Sequence, residues 1–307
     1  MLVAKTHVDF MGRKKYFFAL SGALVAISIL ALLVKGLTFG VDFQGGTSMA
    51  LTDAAGVTTE DVRGALEEAG VPDTANATIQ PTDDGGYIVR TAESDTARAQ
   101  EAFAAVVESL GLPEQDANVT TIGPGWGKSV TDASLIALAV SMVAIVIYIS
   151  LRFEFKMSVS AVVALLHDAI IVLGVYAVSG REVTPNTIAA VLTILGYSLY
   201  DTIVVFHRIR ENAAGLRKMS FMEMTNESIN QVLMRWVNTG LIQVIPVLAL
   251  FFFGGETLQD FAFAMAVGLL AAAYSTVGLA SPLYAMLKER EPKFQALKRK
   301  YAAQAPR

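Results

Sequence analysis

Long apolar blocks punctuate the chain, each of a length to cross a hydrocarbon core of about 30 Å as a helix. They run approximately over Tyr16–Val34, Val130–Leu151, Met157–Val178, Thr184–Phe206, Val232–Phe253 and Phe261–Leu287. The first follows Lys5, Arg13, Lys14 and Lys15. It is long for a signal peptide and no A-x-A-like site follows it, so it reads as an uncleaved first span.

Between the first two blocks the pattern changes to short alternations and amphipathic stretches. GVDFQGGT (Gly40 to Thr47) leads into a strand ending at Leu51, and Thr58 with Asp61 forms a helix-start signal. Val62, Ala65, Leu66 and Ala69 share one face of that helix and Gly70 stops it. A strand over Ala77–Gln80, a turn at Asp83-Asp84-Gly85-Gly86 and a strand over Tyr87–Thr91 follow. Ser94 is expected to cap a second helix, ended by Gly111, before a last strand over Val119–Ile122. The order βαββαβ predicts a ferredoxin-like α+β domain. Gly123-Pro124-Gly125 with Trp126 reads as a hinge and interfacial anchor. The expected division is 1–15 cytoplasmic, 16–34 first span, 35–129 extracytoplasmic domain, 130–287 five further spans and 288–307 cytoplasmic tail. Phe221–Gln231 is expected to lie as an amphipathic helix on the cytoplasmic surface.

Composition agrees: 53% of the 307 residues are hydrophobic and 17% charged. A net charge of −4 conceals an asymmetry, since residues 35–132 carry five basic and 16 acidic groups while the remainder is basic. Basic short loops beside an acidic insert place both termini in the cytoplasm and the insert outside, at a cell membrane. With no cysteine and three histidines, no metal site is expected, and neither is a cofactor, an enzymatic constellation or a nucleic-acid partner. The sequons at Asn76 and Asn118 are weak glycosylation signals.

Ionisable residues inside spans mark functional sites by default. Asp168 lies in span three beside His167, Asp201 in span four, and Arg235 about one turn into span five. Tyr197, Ser198 and Thr202 fall on the side of Asp201. Gln231, Arg235, Asn238, Thr239 and Gln243 make one polar stripe on span five. Such a stripe faces other helices or water. A structural ion-pair knot and an ion relay both account for these groups. Moving one charge through 100 mV supplies about 2.3 kcal/mol, enough to bias a two-state bundle more than tenfold. Gly268, Ala272, Ser275 and Gly278 in span six are expected close-packing positions.

GVDFQGGT, LLHD, GYSLYDTIVVFHRIREN, SINQVLMRWVNTG and FFGGETLQDF together resemble the SecD/SecF family of the RND superfamily, on its SecF side. The resemblance runs from Tyr16 to about Leu287. It implies a six-helix half-transporter completed by SecD, working with the Sec translocon on a translocating polypeptide in the lipid membrane. It also implies that a proton or sodium gradient drives late export. By motif position, Asp201 corresponds to the family's membrane acid, Arg235 to its arginine partner and Asp168 to a second acid. His207, Tyr200, Gly240 and Ala273 depart from the usual residues in a way similar to an archaeal variant. An RND small-molecule or lipid exporter shares the architecture but would carry both halves in one chain. An intramembrane aspartyl protease would need Gly-x-Gly-Asp where LLHD stands.

Overall fold

The computed structural model describes residues 7–82, 85–113 and 118–301. Among these, six helices are long and apolar enough to span a membrane: Lys14–Val34, Gly125–Arg152, Phe155–Ser179, Pro185–Ala214, Phe221–Phe253 and Leu258–Glu289. The contacts divide the chain into two compact units, one of Phe39–Ala137 and one formed by the flanking residues.

The chain begins with α1 (Lys14–Val34). The smaller unit then contains β1 (Gly46–Leu51), α2 (Thr59–Glu68), β2 (Thr78–Pro81), β3 (Tyr87–Thr91), α3 (Thr96–Ser109) and β4 (Asn118–Ile122). The sheet order is β2-β3-β1-β4 and all three pairings are antiparallel. That is the arrangement of a split βαβ unit. Met49 pairs with Val89 on one side and Val119 on the other, so one face is apolar. Val62 and Leu66 of α2 and Phe103 and Val106 of α3 complete this core.

Local chemistry explains the element ends. Thr58 Oγ1 accepts from the Asp61 amide at 3.2 Å, and Asp61 Oδ2 accepts from the Thr58 amide at 2.8 Å. This reciprocal box satisfies two amides that the first helical turn leaves free. The second helix is capped by Asp95, which accepts from Ala97 and Arg98, and not by Ser94 as expected. A carboxylate at that position also meets the positive end of the helix dipole. Positions 83 and 84 of the expected hairpin turn, and the side chains of Asn76 and Asn118, lie outside the described residues. Gly46 has φ +111°, and a Cβ there would come within 2.3 Å of the Thr91 carbonyl oxygen.

Helix α4 (Pro124–Arg152) starts where a hinge was expected. Proline fits a first helical position because its missing N–H has no partner there anyway. The Trp126 amide bonds to the Gly123 carbonyl and continues the turn.

Next come α5 (Phe155–Ser179), α6 (Pro185–Ala214) and α7 (Phe221–Phe253). A capping box between Thr184 and Thr187, with Pro185 at the first position, starts α6. The expected surface helix over Phe221–Gln231 is instead the first part of the 33-residue α7. Nothing in the sequence breaks the helix at Gln231, and Phe221, Met224, Thr225, Ser228 and Ile229 are buried against the bundle. Asn226 holds the chain ahead of α1 there, accepting from the amides of Phe10 and Met11 and donating to the Val8 carbonyl.

The sixth span is composite: α8 (Gly255–Ser275), a π-helical turn at Thr276–Ala280, and α9 (Ser281–Glu289). Pro282 follows directly and has no N–H to offer the preceding turn. The Ser281 amide and Oγ both bond to the Thr276 carbonyl, five residues back. A final helix, α10 (Pro292–Tyr301), packs Phe294 on Phe221 with ring centroids 4.7 Å apart.

Two measurements test this local account. Gly46→Ala should cost about 2 kcal/mol or more, because both the positive φ and the carbonyl oppose a side chain; an unchanged denaturation midpoint would remove the argument. The hydrogen bonds from Thr58, side chain first and backbone second, hold the Asp61 carboxyl below its ordinary value of 3.8. This contribution is present above pH 3.8 and disappears as pH falls through the lower folded value. Thr58→Ala should therefore flatten the acid limb of the melting profile, while an identical limb would show that the box has no part in it.

Candidate functional site

The membrane unit gathers its polar groups where α5, α6 and the end of α8 meet. Gly174 of α5 makes room for α1, since a Cβ there would strike Ser28, and Gly268 of α8 does the same for Ile194 of α6. Small residues of this kind let helix backbones approach closely. Gly268 and Gly278, which faces Phe17, are thus packing positions as expected.

Asp168 is the hub. Its side chain is fully buried, and Oδ2 accepts from Ser198 Oγ at 2.6 Å and from Ser275 Oγ at 2.8 Å. Its other oxygen lies 3.0 Å from Nδ1 of His167, a contact that is a hydrogen bond when either atom carries the proton. The His167 ring stacks on Tyr274 at 6.0 Å, and its buried Nε2 has no hydrogen-bond partner. Tyr274 in turn accepts from Ser21 Oγ and donates to the Phe17 carbonyl, which ties α1 to the same knot.

Asp201 sits one turn further along α6. A three-residue step from Ser198 is a rise of about 4.5 Å, so the two lie on one face. The side chain is buried, yet among the described residues it has neither a hydrogen-bond partner nor an ion-pair partner. Thr202 beside it meets Thr276 of the π turn, Oγ1 to Oγ1, at 3.2 Å. The seam Asp168, Ser198, Asp201, Thr202 thus puts two protonatable groups and two hydroxyls in adjacent turns.

Arg235 stands apart. It is exposed, makes no ion pair with Asp201, and donates from Nη2 to the Tyr200 hydroxyl at 3.5 Å. Asn238 is exposed, Thr239 and Gln243 are half-buried, and Tyr197 is 38% exposed. The Gln231 end of the stripe is also tied to α6, accepting from Arg208 Nε and Asn212 Nδ2. Thr239 returns its hydroxyl to the Arg235 carbonyl. The expected constellation therefore divides: His167, Asp168, Ser198, Asp201 and Thr202 are brought together inside, while Tyr197, Arg235 and Asn238 face outward.

Ser275, Thr276 and Tyr274 are the residues that sequence reasoning undervalued. Ser275, expected as a packing position, is a donor to Asp168. The available signal was the run Tyr274-Ser275-Thr276, three consecutive polar side chains in an apolar span. Among the described residues, no group of three His, Asp or Glu side chains could hold a metal ion.

These elements define a polytopic helical membrane protein with a buried acid network and a polar face on one outer helix. The sequence family described as protein export membrane protein SecD/SecF, C-terminal, matches residues 102–290, and the SecD/SecF GG motif matches residues 30–52. Protein translocase subunit SecF of Streptomyces coelicolor is 36% identical over 303 residues, covering 96% of this chain and 80% of the relative. The SecF subunit of Thermodesulfovibrio yellowstonii is 38% identical over 292 residues, covering 93% and 96%. The crystal structure of SecDF, a translocon-associated membrane protein from Thermus thermophilus, superimposes with a TM-score of 0.84 at 34% identity. That match covers 94% of this chain and 40% of the SecDF chain. The chain belongs to the SecD/SecF family, on its SecF side. These relatives are bacterial, so the archaeal variant expected from His207, Tyr200, Gly240 and Ala273 finds no support among them.

If Ser198 and Ser275 share one oxygen of Asp168, removing either should cost about 1 kcal/mol, and the two losses should not add. Thermal unfolding of Ser198→Ala, Ser275→Ala and the double variant measures the coupling. Strict additivity would show that they serve Asp168 independently.

Proposed function

We propose that this chain is the SecF-type half of a membrane complex that uses a transmembrane ion gradient, proton or sodium, to promote late steps of Sec-dependent export. The single observation that carries the reading is the division of the site. An acid network lies inside the bundle, while Arg235 lies on an outer face where hydrocarbon would charge about 2.5–3.5 kcal/mol for it. A helix face with that composition wants a protein surface against it. The SecDF neighbour is more than twice as long as the part this chain matches, which supports a SecD partner there.

In this reading Asp201 is the group that changes protonation or ion occupancy. It is buried without a fixed partner, so a rearrangement that brings in a cation or water changes its state at little structural cost. Arg235 is the group that a SecD-bound state would bring toward it, and Asp168 with its serine donors keeps the neighbouring turns in register. Thr202 and Thr276 connect Asp201 to the π turn, the part of the sixth span with the least regular hydrogen bonding. The smaller α+β unit faces outward and acts on the emerging polypeptide near the Sec translocon, with both termini cytoplasmic and the spans in the lipid of the cell membrane. The chain is a coupling subunit and performs no bond chemistry of its own.

Asp201→Asn should abolish gradient-dependent stimulation of export in membrane vesicles while the melting temperature holds. Undiminished stimulation would sink the proposal. Arg235→Glu should be more damaging than Arg235→Lys, and equal activity of both with the parent would remove Arg235 from the mechanism.

A further inference from the structure

One cavity has no part in the coupling scheme. It measures about 410 Å³ and is lined by Lys14 at the start of α1, Glu289 at the end of α9, and Arg290, Lys298 and Arg299 beyond it. The first span begins at Lys14 and the sixth ends at Glu289, and an even number of crossings brings both to the same membrane surface. The cavity therefore opens at the headgroup level of one leaflet.

Its chemistry is specific. Four cations converge with one carboxylate, and Met222 and Met286 supply an apolar side. Glu289 is more than nine-tenths buried; Oε2 pairs with Lys298 Nζ at 2.7 Å, but the buried Oε1 has no hydrogen-bond partner. An orphaned buried acceptor is costly and calls for a donor. The walls are held in place by the Phe294 ring on Phe221. A charge network also fixes them, in which Lys288 bridges Glu154 at 2.7 Å and Glu291 at 3.0 Å while Lys156 reaches Glu291 at 2.9 Å.

We propose that this cavity binds a phospholipid headgroup carrying both an anionic phosphate and a hydroxyl donor, as phosphatidylglycerol does. The phosphate sits among Lys14, Arg290 and Arg299, a headgroup hydroxyl donates to Glu289 once its carboxylate turns Oε1 out of its buried position toward the cavity, and the glycerol backbone leaves past the methionines toward the acyl layer. The bound lipid would fasten the C-terminal helix α10 to the start of the first span.

The test is lipid binding to the detergent-solubilised full chain, read by native mass spectrometry. Phosphatidylglycerol is compared with phosphatidylmethanol, which has the same charge and no hydroxyl. Phosphatidylglycerol should bind about tenfold more tightly, the factor expected for a hydrogen bond to a charged group, and Glu289→Leu should erase that preference. Arg299→Ala should weaken phosphatidylglycerol binding itself about fivefold, the effect of removing one cation near an anionic surface. Lys293→Ala, exposed on the same helix and outside the cavity, should leave it unchanged. Equal affinity for the two lipids in the parent protein, or no loss in Arg299→Ala, would overturn the proposal. Displacement of the lipid by millimolar inorganic phosphate would overturn it too, by making a soluble phosphate the occupant.

Discussion

Much of the membrane unit depends on keeping one carboxyl group, that of Asp168, fully out of water in an apolar bundle. Such a group is tolerated only when its lone pairs are met, and here they are met from three directions. Ser198 arrives from α6, Ser275 from the end of α8 and His167 from the next position on α5. Three spans are thereby fixed in rotation and depth relative to one another, and Tyr274 extends the constraint to α1. Close packing at Gly174 and Gly268 brings the helices near enough for these short side chains to reach.

Set against that hub, Asp201 has the opposite character. It is buried on α6, on the face of the Ser198 that donates to Asp168 and one turn away from it, and has no partner to hold it among the described residues. Two acids of one chemical type are thus differentiated by their surroundings: Asp168 is fixed by donors, and Asp201 has none among the described residues.

Much of this was legible in the sequence. Apolar block lengths located all six spans, and alternation with turn residues located the βαββαβ unit. The Thr58–Asp61 box and Gly70 and Gly111 as helix stops follow from local chemistry alone. Periodicity placed Ser198, Asp201 and Thr202 together. It also found the stripe on α7 but not what that stripe faces, since a helical period has no information about neighbours. The surface helix at Phe221 failed for the same reason: its amphipathic pattern suits a membrane surface and a buried bundle edge equally. Ser275 was hidden as a donor to Asp168 because it reaches that acid only through the phase of the sixth span against α5, which a helical period does not contain.

That phase has a wider meaning. A π turn amounts to one residue added to a helix, and one residue is about 100° of rotation. The two halves of the sixth span are therefore out of step, and their inward faces would not align on a single helical wheel. Polar Ser275 before the turn and Thr276 at its start can point inward while Tyr284 packs between Phe206 and Phe221 after it. Relatives of this chain that differ by a single insertion or deletion around Thr276–Ala280 would then keep one half of the span in place and turn the other, so a change of length there is a change of direction.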